Sequence, residues 1–546
     1  MPNVEINLND LGALVGRKLS LEQAREALLF VKGEIDSVDG NEIVVDVKET
    51  NRPDLLSAEG IARELKGHLG KEKGLAKYNV KPSGVKVIVD ASVSVVRPCI
   101  AAAIARNVKI SGDFIKQMVQ LQEKVCLTFG RKRKEVAIGL YDFDVMKAPI
   151  YYKAFAPHEL KFVPLEYKVE MDLDEILKEH PKGKEYAHLL KGCKKYPILI
   201  DSADVVASMP PIINSQATGK VTEKTRNLFV EVTGMRQETV NTALNVIASA
   251  LAERNAKIES VQIVYPKGSI TTPDFAPQKI SVDVSNVQKI SGLELGAADI
   301  VKLLRNARYN ASAKGKKVIA EYPAYRQDIL HPIDVIEDII IAYGYDRIAP
   351  AEVKIATTGN ELAQNKIENA CREVCVGLGL QEILTFTLTS KEKQQKMMGL
   401  PEQQFVEIAN PVSINWSVLR KSIVPELLEF LSKNKNCPYP QRIFEIGRTL
   451  TLDANAETGV RERTQVCVAI SHKNANFTEI KSHLNALLQN LGIKYETRAI
   501  KHPSFAEGRA AEIVALGKCG ILGEVSEKVL KNFLIDAPVA VLEIEI

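Results

Sequence analysis

The hydrophobic pattern of the 546-residue chain changes period several times, and each change marks an element. Leu21, Ala24, Leu28 and Val31 recur at helical spacing behind Ser20-Leu-Glu-Gln23, which has the form of a capping box. Gly33 is placed to stop that helix. Asp39-Gly40 signals a turn into a strand over 43–47. Ser57 is placed to cap a second helix, with Ala58, Ile61, Ala62 and Leu65 inward and Gly67 at its end. This order predicts an N-terminal α/β domain over residues 1–85, closed by a linker at Lys81-Pro-Ser-Gly84.

Residues 86–272 predict a mixed domain. Strands are expected over 85–89 and 93–96, then a helix from Asp113 to about Leu127 with Phe114, Met118, Leu121 and Val125 on one face. Strand-like runs follow over 136–140, 150–155, 198–200, 228–232 and 260–265, with a helix over 240–254 before the last. The Pro-marked string Thr271-Thr-Pro-Asp-Phe-Ala-Pro277 opens a third domain, 273–352. It reads as a strand over 279–284, a helix over 297–307, a strand near 318–322 and a helix from Pro332, a small winged-helix-like unit. In 353–546 a helix over 360–377 precedes buried strands at 444–446 and 466–470, a helix over 479–491 and a terminal strand over 539–546. The fold class is therefore α+β and multidomain.

Composition narrows the function classes. Hydrophobic residues make up 45% and charged residues 26%, which suits several soluble cores. Lys+Arg 72 against Asp+Glu 68 leaves +4, too little for a protein that coats polyanions unspecifically. Local patches remain open: between Ala105 and Glu135 eight basic residues face three acidic ones, and four of them form Arg131-Lys-Arg-Lys134. No apolar run approaches the roughly 18 residues that span a bilayer, and the polar start is no signal peptide, so no membrane role and a cytoplasmic location are expected. The eight cysteines form no CxxC or Cys/His ligand spacing and read as reduced core thiols; only Cys371 and Cys375 share a helix face.

Three groups of residues carry candidate chemistry. In Phe229-Val-Glu-Val-Thr-Gly234, period 2 places Glu231 and Thr233 on one face of a strand, where they line a pocket or meet water. Asp334, Glu337 and Asp338 sit at i, i+3 and i+4 on the helix from Pro332, within about 100° of one another, with Asp328 just upstream and Ile333, Ile336 and Ile340 directed elsewhere into a core. That spacing suits either a solvated acidic face or a hard cation such as Mg²⁺. The basic run at 131–134 suits phosphate contact or ordinary surface. There is no P-loop and no Ser/His/Asp or Cys/His order.

Three long strings, in order, give a specific resemblance. They are Asn51-Arg-Pro-Asp-Leu-Leu-Ser-Ala-Glu-Gly-Ile-Ala-Arg-Glu64, Ser208-Met-Pro-Pro-Ile-Ile-Asn214 with Thr225-Arg-Asn-Leu-Phe-Val-Glu-Val-Thr-Gly234, and Tyr325-Arg-Gln-Asp-Ile-Leu-His-Pro-Ile-Asp-Val-Ile-Glu-Asp338 through Tyr343-Gly-Tyr-Asp346. Over essentially its whole length the chain resembles the β subunits of phenylalanyl-tRNA synthetase, of the archaeal/eukaryotic-like type. The resemblance implies an α subunit partner, usually as α2β2, with tRNA(Phe) as substrate and ATP bound in the α subunit. It implies that 86–272 is a tRNA-editing domain that hydrolyses mischarged Tyr-tRNA(Phe), with Leu199, Ser208, Glu231 and Thr233 in its pocket. Glu231 would read the phenolic hydroxyl, Ser208 and Thr233 would position ester or water, and no protein nucleophile is expected. It implies Mg²⁺ at Asp328, Asp334, Glu337 and Asp338, and a class II synthetase-like antiparallel core in 353–546 that contacts the α subunit without catalytic motifs. Gln441-Arg-Ile-Phe-Glu445 there has altered spacing and no glycine-rich ATP strand follows. The rival reading is a non-enzymatic scaffold or tRNA-binding subunit with a degenerate editing pocket.

Overall fold

A three-stranded antiparallel sheet begins the computed structural model, which describes residues 3–48, 51–353, 355–515 and 517–546. The chain forms two units, Met1–Glu352 and Val353–Ile546. In the first, the strands run in the order Asn3–Asn7, Glu42–Val47, Gly33–Asp39. The sheet is antiparallel, so this part is α+β rather than the α/β expected. Asn7 accepts from the amides of Asn9 and Asp10 and starts the helix Leu8–Val15, an element the sequence pattern did not single out. The capping box at Ser20 forms as predicted on the helix Leu21–Leu28. That helix tightens into Leu29–Val31 and ends at left-handed Lys32, so Gly33 begins a strand instead of stopping the helix.

The large sheet of this unit has ten strands. Nine follow the order Ile213–Asn214, Val206–Met209, Tyr196–Ile200, Ile150–Phe155, Lys81–Val89, Lys257–Tyr265, Cys99–Arg106, Leu228–Gly234, Val136–Asp142. Gly268–Thr272 pairs beside Lys257–Tyr265. The expected linker at 81–84 is the first part of a strand, because it lies in parallel register with Glu259 and Ser260. The expected strand at 93–96 is the short helix Ala91–Val95: the Asp90 side chain accepts from the Ser92 amide, and only Val93 is buried. One face of the sheet, with Ala101, Ala103, Val230 and Val232, shares a core with the N-terminal sheet and helices and with the helices Gly112–Leu127 and Gln237–Glu253. The remaining part carries an antiparallel sheet of Gln278–Asp283, Lys317–Tyr322 and Asn310–Lys314 with the helices Val284–Ser291, Ala297–Asn306 and Pro332–Tyr343.

The second unit is built on seven strands in the order Gln381–Glu382, Gln441–Leu452, Val460–Ser471, Val539–Glu545, Lys518–Val525, Phe505–Ala515, Tyr495–Ala499. Every pair but the first is antiparallel. Val466, Val468 and Ile470 point to one core and Cys467 and Ala469 to another, so the sheet is covered on both faces. Cys371 and Cys375 are fully buried in the first of these cores on the helix Ala363–Gly377. Burial pushes their thiols up to about 11 and about 12, which suits packing rather than chemistry.

The string at 51–64 proves to be a packing hub. Ser57 caps the helix Ala58–His68, accepting from the Gly60 amide at 3.1 Å. A Cβ on Gly60 would lie 1.6 Å from the Asp54 carbonyl oxygen, and one on Gly67 would lie 2.0 Å from that of Asn306, so only glycine fits either place. Arg52 grips Asp54 with two bonds of 2.8 Å, and Arg63 reaches the same carboxylate at 3.4 Å while stacking 4.0 Å over Tyr325. Burial alone would raise the Asp54 carboxyl; Arg52, Arg63 and Arg326 outweigh it and hold it at about 2. A depressed folded pKa contributes stability that is present above about pH 4 and lost as the pH falls toward 2. Asp54→Asn is expected to cost about 3–5 kcal/mol, because it leaves the buried Arg63 without its carboxylate and Arg52 with Glu64 alone, at 3.3 Å. Thermal unfolding followed by circular dichroism should show a midpoint several degrees lower; an unchanged midpoint would mean the hub carries no net stability.

Candidate functional site

The strand Leu228–Gly234 lies between Cys99–Arg106 and Val136–Asp142, antiparallel to both, and every residue in it is buried. Leu228, Val230 and Val232 enter the helix-covered core, so Phe229, Glu231 and Thr233 occupy the opposite face. Directly across from Glu231 stands Gly139. A Cβ on Gly139 would fall 2.1 Å from the Tyr141 hydroxyl and 2.6 Å from Glu231 Oε2. Its absence lets Tyr141, two residues along, place its hydroxyl 2.8 Å from Glu231 Oε2 and 2.8 Å from Ser208 Oγ. A phenol has one proton, so Tyr141 donates to Glu231 and Ser208 donates to Tyr141.

Burial pushes the Glu231 carboxyl up to about 7, against the opposing pull of the Tyr141 and Thr233 hydroxyls and the Arg97 guanidinium. Its second oxygen, Oε1, is buried without a hydrogen-bond partner. Arg97 is itself buried and fixes Thr233 twice, donating from Nε to Oγ1 at 3.0 Å and from Nη2 to the carbonyl at 2.7 Å. The Tyr152 hydroxyl in turn donates to the Arg97 carbonyl at 2.9 Å.

Glu231, Tyr141 and Ser208 form part of the wall of a cavity of about 530 Å³. Phe114 and Met118 of the helix Gly112–Leu127, with Leu140, Leu228 and Ile212, give it apolar lining; His180, Lys182, Asn214 and Lys220 add polar groups. A cavity of this size with few converging polar groups is what a small organic ligand needs. Of the four residues predicted for the pocket, Ser208 and Glu231 line it and are joined through Tyr141. Thr233 stands beside Glu231 on the strand face but is held by Arg97 away from the lining. Leu199 pairs with Ser208 across neighbouring strands and packs into the hydrophobic core beneath it. Tyr141, Arg97 and Gly139 were not singled out by sequence. A glycine inside a strand-like run was the available signal, since it marks close approach.

The basic run behaves unevenly. Arg131, Lys132 and Arg133 all take left-handed backbone, with φ of 48°, 54° and 65°. Arg133 donates from Nη1 to the carbonyls of Pro211 and Ile212 at 3.1 and 2.8 Å and stacks 4.3 Å over Tyr186, so it secures the Ser208–Ile212 segment at the cavity. Arg131, Lys132 and Lys134 are exposed.

Asp328, Asp334, Glu337 and Asp338 gather around a second, small cavity of about 50 Å³, where Lys32, Arg52 and Arg326 face them. Arg326 pairs with Asp328 and, at 2.9 Å, with Asp338, which also accepts from Tyr309. Asp334 accepts from the amides of Leu330 and His331 at the helix start, and Glu337 pairs with Lys32 at 2.7 Å. Helical spacing correctly puts the acids together, but Ile333 is half exposed, and Val335, Ile336 and Ile339 form the core side. Among the described residues no three His, Cys, Asp or Glu side chains are arranged to hold a metal ion. As arranged, this set does not fit Mg²⁺, because its charge is already answered by protein cations.

In the second unit, Glu445 of the Gln441-Arg-Ile-Phe-Glu445 string is fully buried. It pairs with Arg420 Nη2 at 2.7 Å and accepts from Thr385 at 2.6 Å. Gly447 makes the room, since a Cβ there would lie 2.2 Å from that Arg420 nitrogen. Arg420 and Thr385, from outside the strand, thus answer the buried Glu445 carboxylate, whose Oε1 makes an ion pair but no hydrogen bond.

Comparison with known proteins identifies the family. The B3/4 domain model matches residues 88–266, the tRNA synthetase B5 domain model 280–345, and the phenylalanyl tRNA synthetase beta chain CLM domain model 348–546. The phenylalanine–tRNA ligase β subunit of Pyrococcus horikoshii is 48% identical over 100% of this chain and 99% of that protein. The β subunit of Archaeoglobus fulgidus is 38% identical over 100% and 98%. The crystal structure of an N-terminal fragment of the Pyrococcus horikoshii phenylalanyl-tRNA synthetase β subunit superposes with a TM-score of 0.62 at 48% identity, covering 63% of this chain and all of the fragment. No helix of the described residues is long and apolar enough to cross a membrane. With such identity sustained from end to end, the chain belongs to the phenylalanine–tRNA ligase β-subunit family.

Proposed function

We propose that this chain supports the ATP-dependent attachment of phenylalanine to tRNA(Phe) by an α subunit and itself hydrolyses mischarged Tyr-tRNA(Phe). The observation that carries the hydrolytic half is Glu231, a buried carboxylate at the cavity wall with one oxygen bonded and the other unpaired. A synthetic site that accepts phenylalanine cannot strongly reject an analogue that only adds a hydroxyl, and discriminates by roughly 10². A second site can reverse the preference by hydrogen-bonding that hydroxyl, because phenylalanine then leaves a buried polar group unpaired. Ser208, the hydroxyl residue at the wall, is bonded to Tyr141 and has no histidine base among its hydrogen-bond partners. Water, positioned in the cavity, is therefore the proposed nucleophile.

The second unit supplies no ATP chemistry in this reading; ATP and its Mg²⁺ belong to the α subunit, in an α2β2 cytoplasmic enzyme. Leu384, Phe386, Val412 and Ile414 are exposed at 88%, 71%, 104% and 80%, on two segments that the edge-on contact of Phe386 with Trp416 brings together. Exposed apolar groups of this kind suit contact with the α subunit. Residues 1–85, 86–272, 273–352 and 353–546 are read as the N-terminal, editing, winged-helix-like and synthetase-core-like parts. Mg²⁺ on Asp328, Asp334, Glu337 and Asp338, which the resemblance implies, is left out of the proposal, because Arg326 and Lys32 already answer three of these carboxylates.

Glu231→Gln should lower Tyr-tRNA(Phe) hydrolysis by the full chain roughly 10- to 100-fold, the worth of a hydrogen bond to a charged group. The same substitution should stabilise the fold at pH 8. A carboxyl raised in the folded state from 4.5 to about 7 binds its proton more tightly there than when unfolded. That stability is present below about pH 4.5 and is lost as the pH rises through 7, by about 3 kcal/mol. The mutant should therefore melt several degrees above wild type at pH 8, with the gap closing toward pH 5; unchanged hydrolysis would remove Glu231 from the site. For the acidic set, saturating Mg²⁺ or EDTA should move the melting midpoint of the free chain by under about 2 °C. A rise of more than about 5 °C would mean that these carboxylates already form a metal centre.

A further inference from the structure

The Glu231 carboxylate already holds a phenol. The Tyr141 hydroxyl, supplied by the neighbouring strand, donates to Oε2 at 2.8 Å, and Ser208 backs it from the other side at the same distance. Oε1 has no partner although it is buried, and the residue that carries it lines the cavity. The two oxygens of one carboxylate are thus in different states, Oε2 bonded to a tyrosine that lines the cavity and Oε1 enclosed without a hydrogen bond. Gly139 is the feature that makes the division possible, because any side chain there would occupy the space of both the phenol and Oε2.

We propose that Tyr141 is a specificity-determining positioning residue: by ligating Oε2 it pins the Glu231 carboxylate at the cavity wall, so that the remaining lone pair of that oxygen meets a phenol hydroxyl entering the cavity in one fixed direction. The inference rests on the editing reading above and deepens it. A carboxylate with two free oxygens would rotate and meet ligands in several ways. One held by a fixed donor presents a single lone-pair direction, and a ligand without a hydroxyl leaves that direction empty. Tyr141 is not a catalytic residue in this account, since it acts on the ligand through Glu231.

The pH dependence is separable. The charged and titratable groups that face Glu231 are Arg97 before the Cys99–Arg106 strand, Tyr141, Tyr152 on Ile150–Phe155, and Cys126 on the helix behind the sheet. Burial pushes the Cys126 thiol up to about 11 and both phenols well above their usual range. Of this group, Glu231 is the one whose charge changes near neutrality.

The test is hydrolysis of preformed Tyr-tRNA(Phe) and Phe-tRNA(Phe) by the full chain, wild type and Tyr141→Phe, across pH 5.5–9. Loss of the Tyr141 donor should reduce the preference for Tyr-tRNA over Phe-tRNA by about tenfold or more and move the pH midpoint upward by about one unit. A purely structural role would slow both substrates alike and leave the midpoint in place. If wild type hydrolyses Tyr-tRNA and Tyr141→Phe keeps both preference and midpoint, the inference is overturned while the editing reading stands. If wild type is inert toward Tyr-tRNA, the editing reading fails first and this inference with it. Should Tyr141→Phe not fold, Gly139→Ala displaces the same bond with both partners retained, and wild-type preference in that variant would equally overturn the proposal.

Discussion

A strand with a partner on each edge has no freedom to move, and Glu231 sits in the middle of such a strand. Its neighbours Cys99–Arg106 and Val136–Asp142 satisfy the ladder on both sides, while the helices Gly112–Leu127 and Gln237–Glu253 close one face. The carboxylate is therefore delivered to the cavity wall by backbone geometry and not by a mobile loop. The price is a buried acid with one oxygen unpaired, which raises its pKa to about 7 and weakens the fold at higher pH. Such local destabilisation is characteristic of sites that bind rather than merely pack.

The rest of the first unit can be understood as support for that strand. The N-terminal sheet and the helix Ala58–His68 belong to the same core as Val230 and Val232. The buried Arg52–Asp54–Arg63 group ties this core to Tyr325 and, through Arg63, to Ser249 on the helix Gln237–Glu253. The chain's most distinctive string, 51–64, thus serves construction. Its two arginines are fixed on the buried Asp54 carboxylate and its Gly60 by the approach of the Asp54 carbonyl.

What sequence made legible was local. Period 2 put Glu231 and Thr233 on one strand face, and helical spacing put Asp334, Glu337 and Asp338 together; both placements hold. What it could not show was the partner of each group, because partners come from far along the chain. Gly139 meets Glu231 only through strand register, Arg97 reaches Thr233 across 136 positions, and Lys32 answers Glu337 across 305. The misplaced elements have a more local origin. The alternation of Ser92-Val-Ser-Val95 looks like a strand until Asp90 caps it, and the start Asn3–Val15 holds a short strand and a two-turn helix that the pattern reading passed over. The three long strings carried the family, whereas the chemistry of each residue in them needed coordinates.

One buried carboxylate has to tell a phenol from a phenyl ring. Calorimetric binding of two non-hydrolysable adenosine amides, one of tyrosine and one of phenylalanine, to the full chain tests this without any catalytic step. Tighter binding of the tyrosine amide at pH 8 by roughly 10- to 100-fold, the worth of a hydrogen bond to a charged acceptor, is the predicted result. Equal affinities for the two would contradict it.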